Sequence, residues 1–419
     1  MKYFIFALCV LVAFAAPKNW AVLVAGSNGY SNYRHQSDVY HALQMLRSNG
    51  YKDENIIVFH YNDIAQNPRN PFKGVVYNNP NHENYFVNVP MDYTGSDCTA
   101  ANFLAVLSGQ KDKVKGGSGR VVESGPEDNI LWLYYDHGSP GLIAMPSGGY
   151  LYVKPLQETV RYMYNNNRYN KMVFYTEACE SGSMYSDWSD ELSKMRVYAT
   201  TAANPYESSY AYYYDSSVQA YLGDEYSITY MEDIDANGVD RSMESQFEEV
   251  IVKKVKGSHP QRYGNMTIGK EPLRNFFAAP GAKIAARKPV VATNNVEPEI
   301  MNTYDLKLRS LERAAAEATT ADRRRRLEAL VRAEKNRREY TDSLFSGLVD
   351  LVAPSAHNRV LGYVERINHE CYQESIENFI RHCGSINDYG MRYMKVFANF
   401  CAMNVHPDVV SFAASELCH

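Results

Sequence analysis

The decapeptide YTEACESGSM (Tyr175–Met184) sets one cysteine, Cys179, between two glutamates, after an apolar run and before a serine-glycine-serine turn. A second stretch of the same design, NILWLYYDHGSPG (129–141), ends its apolar run on Asp136 and His137, followed by Gly138. A third, WAVLVAGSNGYSNYRHQ (20–36), delivers Asn32, Arg34 and His35 in the loop after its apolar run. A thiol reacts as the thiolate. Its ordinary pKa is about 8.5, and a nearby imidazole lets it act near neutrality. His137 suits the part of general base or acid. The unobstructed N–H of Gly138, with that of Cys179 at an expected helix N-terminus, would make an oxyanion hole. Taken singly, a cysteine or a histidine is more often a buried structural residue. Matching strand-exit contexts in separate segments favour nucleophilic catalysis instead.

The elements that must position these groups alternate along residues 19–277. WAVLVAG (20–26), NIIVFHYND (55–63), NILWLYYDHG (129–138), KMVFYTEAC (171–179) and VYATTAA (197–203) read as strands buried on both faces. SDVYHALQMLRSNG (37–50), TAANFLAVLSG (99–109) and LQETVRYMYNN (156–166) read as helices. The alternation predicts an α/β fold, a mostly parallel sheet flanked by helices. Ligands of such sheets bind beyond the carboxyl ends of the strands, where all three segments deliver their polar residues.

Residues 278–302 (AAPGAKIAARKPVVATNNVEPEIMN) are rich in Pro, Ala and Asn and read as a linker. Residues 304–352 are strong helix formers without proline, with Leu308, Leu311, Leu327, Leu330 and Val331 as an apolar stripe. The Arg323–Arg326 run reads as a solvated helix face.

The chain has 419 residues, which predicts two domains, and a net charge of -5, which argues against nucleic-acid binding. The N-terminus, a lysine, a short apolar run and Ala13-Phe14-Ala15, reads as a secretory signal over 1–15. No other stretch is apolar enough to span a bilayer. Of seven cysteines, Cys9 lies in the signal. Cys371, Cys383, Cys401 and Cys418 predict two disulfides, with three pairings open. Cys98 and Cys179 remain. Cys98 has a bland reading, a small residue near a helix start.

The motifs AGSNG, NYRHQ, DYTG, DHGSPG, EACESGSM, YATTAANP and ESSYAYYYD together resemble the legumains, or asparaginyl endopeptidases. The resemblance covers about residues 18–270 and continues more weakly beyond. It implies a caspase-like peptidase domain over 16–277, a linker or activation peptide over 278–302, and an all-α C-terminal prodomain over 303–419. Cys179 matches the nucleophile, His137 the catalytic histidine, Asn32 the residue orienting it, and Gly138 an oxyanion donor. Arg34, His35, Glu177, Ser208 and Asp224 match the pocket for the residue before the cut bond. Asp136 matches a residue adjoining the centre, its role open. Asn302 matches a processing position, and Asn294 and Asn295 are neighbouring candidates. Asn265 heads an N-x-T glycosylation acceptor.

The implied activity is cysteine endopeptidase cleavage after Asn, and after Asp in acid, from a zymogen activated by acid autocleavage. The implied setting is the secretory pathway, an acidic lysosome-like compartment or secretion. Partners implied are protein and peptide substrates, the chain's own prodomain as inhibitor, and cystatin-type inhibitors. No cofactor, metal, nucleic acid or membrane span is expected. Ligation through the same acyl-enzyme is the alternative, and an inert inhibitor or binding module a further one. Residues 184–196 run about three residues longer than the family pattern, and Cys98 and Tyr212 also depart from it.

Overall fold

Apolar residues that alternate sides along WAVLVAG make its strand fit for burial on both faces. Ala21, Leu23 and Ala25 point into one cluster of buried side chains, and Trp20, Val22 and Val24 into the other. The computed structural model describes residues 16–147, 149–284, 296–362, 364 and 367–418. The expected signal peptide and the processing candidates Asn294 and Asn295 lie outside the described residues.

The central sheet contains β1 (Asn19–Ala25), β2 (Ile56–Phe59), β3 (Asn129–Tyr135), β4 (Lys171–Glu177) and β5 (Val197–Thr201). Beyond it come β6 (Tyr210–Asp215) and β7 (Ala220–Asp224), then β8 (Gln261–Gly264), which returns to the central sheet, and β9 (Val296–Asn302). The six strands of the central sheet stand in the order β8-β5-β4-β3-β1-β2. All of its pairings are parallel except β8 with β5.

Helices cover both faces. One face carries α1 (Tyr33–Ser48) and α4 (Glu225–Asn237), and the other α2 (Ala100–Leu107) and α3 (Val153–Asn165). The hydroxyl of Thr99 accepts from Asn102 N–H and caps α2, as its sequence predicts.

α1 begins four residues earlier than expected. Ser37 and Asp38 resemble a helix start, but both are fully buried and serve tertiary contacts. Ser37 donates to the Leu222 carbonyl, and Asp38 accepts from Asn78 Nδ2 at 2.7 Å. Arg34 and His35 therefore sit in the first turn of a helix rather than a loop, and Asn32 precedes it.

The C-terminal part is helical: α5 (Leu306–Ala316), α6 (Ala321–Val352), α7 (His369–Cys383), α8 (Lys395–Ala402) and α9 (Pro407–Leu417). The expected 304–352 helix is broken, because Thr320 caps a new start with its hydroxyl accepting from Arg323 N–H. The anticipated stripe does not form one buried face. Leu330 is 50% exposed, and α6 packs instead through Phe345, Leu348 and Val349. Disulfides Cys371–Cys401 and Cys383–Cys418 tie α7 to the end of the chain. Each closes a loop of a size that stabilises by about 3–4 kcal/mol in the chain-entropy account.

The second half of the expected linker is also not irregular. β9 pairs antiparallel with β6, extending a three-stranded sheet β7-β6-β9 with a bulge between Glu297 and Ile300. Among the described residues, no helix is long and apolar enough to cross a membrane.

Candidate active site

The sheet register brings the two reactive groups to one level. β3 and β4 run parallel with Tyr135 opposite Glu177, and Asp136 N–H donates to the Glu177 carbonyl at 3.0 Å. His137 and Cys179 each lie two residues past those partners, on neighbouring strands separated by about 4.8 Å. A Cβ on Gly138 would collide with the Cys179 carbonyl oxygen, so only glycine allows this approach. Glu180, next to the thiol, holds a left-handed φ of 51°. Strain of that kind persists where surroundings over-determine it.

His137 Nε2 lies 3.0 Å from Asn32 Oδ1, and Asn32 Nδ2 donates to the Asn28 carbonyl at 3.0 Å. That chain fixes the imidazole plane and leaves Nδ1 without a protein partner. The Cys179 Sγ accepts from Ser209 N–H at 3.3 Å. Ser208, the residue picked from the sequence, lies one position earlier and is half-buried. Ser209 lies in the same ESSYAYYYD motif, and its contact with the thiol identifies it.

Behind the thiol lies a cluster of buried polar side chains. Arg34 Nε donates to Asp224 Oδ1 at 2.7 Å, both groups about 1% exposed. Glu177 Oε2 accepts from the N–H and hydroxyl of Ser227 at 3.1 and 2.9 Å. Arg34 Nη2, Glu177 Oε1, Asp224 Oδ2 and His35 Nε2 are buried with no hydrogen-bond partner, His35 Nε2 and Asp224 Oδ2 facing each other at 3.5 Å. Four such atoms from α1, β4 and β7 in one place are an unmet demand for a ligand with both a donor and an acceptor. Asp38, missed in the sequence, backs the pocket: its Oδ2 accepts from Asp224 N–H at 3.1 Å.

Burial sets the charge states. It drives His35 down to about 3 and His137 to about 4, so both imidazoles are neutral at pH 7. Burial, reinforced by the Asp224 charge, holds Glu177 and Asp38 well above the usual carboxylate range. Burial raises Asp136 to about 6. His35, Asp136 and His137 place one ligand atom each within 4.8 Å of one another. His35 Nδ1 and Asp136 Oδ1 are 2.6 Å apart, however, closer than the ~3.3 Å two ligands keep around a tetrahedral zinc. The trio fits a hydrogen-bonded contact between Asp136 and neutral imidazoles better than a metal.

The C-terminal part covers the site. Asp388 Oδ2 accepts from Asn32 Nδ2 at 3.1 Å and lies 3.9 Å from His137 Nε2. The Tyr304 hydroxyl donates to the Gly138 carbonyl and to Glu180 Oε2, each at 3.1 Å. Asn302, half-buried, is the last residue of β9, opposite Tyr210, and its Oδ1 accepts from Tyr304 N–H. The carboxamide is thus engaged locally, and the pocket atoms stay unmet. Asn265 caps a short turn, with its Nδ2 donating to the Ser193 carbonyl at 3.0 Å.

Among the described residues the free thiols are Cys98 and Cys179, and burial pushes each up to about 12. Both should therefore resist iodoacetamide in the folded full chain at pH 7 and label together in denaturant. Mass spectrometry counts the adducts, and rapid native labelling of either thiol would contradict the burial.

The Peptidase C13 family profile matches residues 19–287, and the legumain prodomain profile residues 331–418. Rat legumain is 39% identical over 409 residues, covering 96% of this chain and 92% of its own. Human legumain is 40% identical, covering 92% and 89%, and a Vicia sativa vacuolar-processing enzyme is 36% identical, covering 97% and 88%. A crystal structure of Spodoptera frugiperda caspase-1 aligns with 62% of this chain and 90% of its own, at 12% identity and a TM-score of 0.35, too loose to carry weight. With matches of this reach over both parts, the chain belongs to the Peptidase C13 family, as a cysteine endopeptidase carrying a legumain prodomain.

Proposed function

We propose that the chain is the zymogen of an endopeptidase that cuts after asparagine. The observation that carries this reading is the buried pocket with its unmet donor and acceptors. An asparagine carbonyl takes the Arg34 guanidinium, and its NH2 donates to Glu177 and Asp224. A side chain lacking either half leaves buried polar atoms unpaired, which discriminates by ~10⁴ or more in sites built this way. Aspartate enters only when protonated, so cleavage after Asp needs acid.

In the reaction, Cys179 Sγ attacks the carbonyl carbon and its proton passes to His137, which Asn32 holds in plane. The N–H groups of Gly138 and Cys179 receive the oxyanion. Collapse expels the amine with the proton from His137 and leaves a thioester, which water hydrolyses. An incoming amine at that step gives ligation instead, and the product ratio reads the balance.

Acid opens the closed form through two groups. His137 titrates near 4 while covered and moves towards 6.5 when solvated, so the open form binds the extra proton. Closed-form stability is therefore full above about 6.5 and is lost as pH falls towards 4, by up to about 3 kcal/mol. Asp388, held below its ordinary range chiefly by His137 against its own burial, loses its contribution lower still. Glu180 works the other way. Burial raises it to about 8, so closing takes up a proton there and acid favours it. A signal peptide and two disulfides support a secretory route to an acidic compartment.

The test incubates the purified full chain at pH 7 and pH 4.5, follows its mass, and then measures cleavage of matched peptides with Asn, Asp or Gln before the cut bond. Loss of a C-terminal fragment at pH 4.5 with cutting after Asn is the expected result. A folded chain that cuts nothing at either pH sinks the reading, and indifference to Asn over Gln sinks its specificity.

A further inference from the structure

The site holds the chain on both sides of the thiol. Upstream, β9 adds to the edge of β6 as far as Asn302 opposite Tyr210. Thr303 continues that path, its N–H donating to the Ser209 carbonyl at 3.3 Å and its hydroxyl at 3.0 Å. Ser209 is the residue whose N–H reaches Cys179 Sγ. One residue on, Tyr304 has crossed to the far side. Its hydroxyl sits between the Gly138 carbonyl and the Glu180 carboxylate, which flank the imidazole and the thiol.

The side chain is 8% exposed, in an apolar cluster that joins Leu142, Tyr152 and Cys179 to C-terminal residues such as Phe345, Leu348 and Phe397. Gly138, Glu180, Leu142 and Tyr152 precede residue 278, so they stay behind when the C-terminal part leaves. The left-handed backbone at Glu180 turns the chain sharply there, next to both acceptors.

We propose that the Gly138 carbonyl, the Glu180 carboxylate and the apolar wall of Leu142 and Tyr152 form a subsite selecting tyrosine at the second position after the cut bond, with Tyr304 as its built-in template. The selection rests on the asparagine reading, with Asn302 as the residue before the cut, and deepens it. Phenylalanine fills the same apolar space but leaves a buried carbonyl and a carboxylate without their donor. Leucine loses both the donor and the ring.

The experiment uses enzyme processed in acid from the full chain. Peptides Ala-Ala-Asn-Thr-Xaa-Ala-Ala, with Xaa Tyr, Phe or Leu, are compared by kcat/KM. Tyrosine is expected to exceed phenylalanine by about tenfold, the size of leaving one buried acceptor without its donor. The Glu180→Asn variant keeps a residue that tolerates left-handed backbone but shortens the side chain. It should bring the Tyr-to-Phe ratio to within about twofold. A merely structural Glu180 would lower both rates together and leave the ratio alone. Equal rates for Tyr and Phe, or a ratio unchanged in Glu180→Asn, overturn the subsite while cutting after Asn stands. Failure to cut any of the peptides overturns the asparagine reading and the subsite with it.

Discussion

Cys179→Ala is expected to fold, keep its C-terminal part and cut nothing, with kcat/KM at least ~10⁴-fold below the parent on an Asn peptide. In the proposed reaction the thiol is the nucleophile, and without it the remaining groups have nothing to activate. Oxyanion donors and binding alone leave a residue of catalysis over water, so the loss is large but finite. Stability should hardly change, because alanine fills most of the volume of a buried thiol that pairs weakly with Ser209. Thermal unfolding and turnover measured on the same sample separate the two effects. Residual activity above about one per cent would remove Cys179 from the chemistry.

Arg34→Leu is expected to hurt both function and fold. Arg34 is the cation that faces Asp224, Glu177 and Asp38 in the pocket, all four at 1% exposure or less. Removing one partner of a buried pair costs about 3–5 kcal/mol. Burial already holds Glu177 and Asp38 above their ordinary range, and without Arg34 the charge that lowers Glu177 is gone. The folded state then holds the extra protons, so stability falls as pH rises and is partly recovered in acid. The variant should therefore melt well below the parent at pH 7 and closer to it at pH 5. Cleavage after Asn should drop by ~10³-fold or more, because the carbonyl of the substrate loses its donor. A melting deficit that does not shrink in acid would mean the carboxylates are not the cause. Unchanged Asn-over-Gln selectivity would take Arg34 out of the pocket.

How much was legible beforehand varied with the distance over which each contact is made. The apolar runs ending in Asp136-His137 and Glu177-Ala178-Cys179 were readable because a doubly buried strand must be continuously apolar and must end where polarity begins. The start of α1 was misplaced because Ser37 and Asp38 look like caps, while their partners Asn78 and Leu222 are distant in sequence. The strand at Val296–Asn302 was invisible for the same reason. Its β propensity is poor and Pro298 interrupts it, and it forms because β6 offers an unpaired edge.

By itself the sequence determined the alternation of strands and helices, the positions of thiol and imidazole at strand exits, and the change to a helical C-terminal part. These follow from local periodicity and composition, which a single chain carries in full. The tertiary structure alone decided the disulfide pairs, the contact of Ser209 with the thiol, the backing of the pocket by Asp38, and the seating of Tyr304 and Asp388 over the site. Each of these joins residues some 30 to 360 positions apart, and only burial of the shared core fixes which of the many polar groups meet.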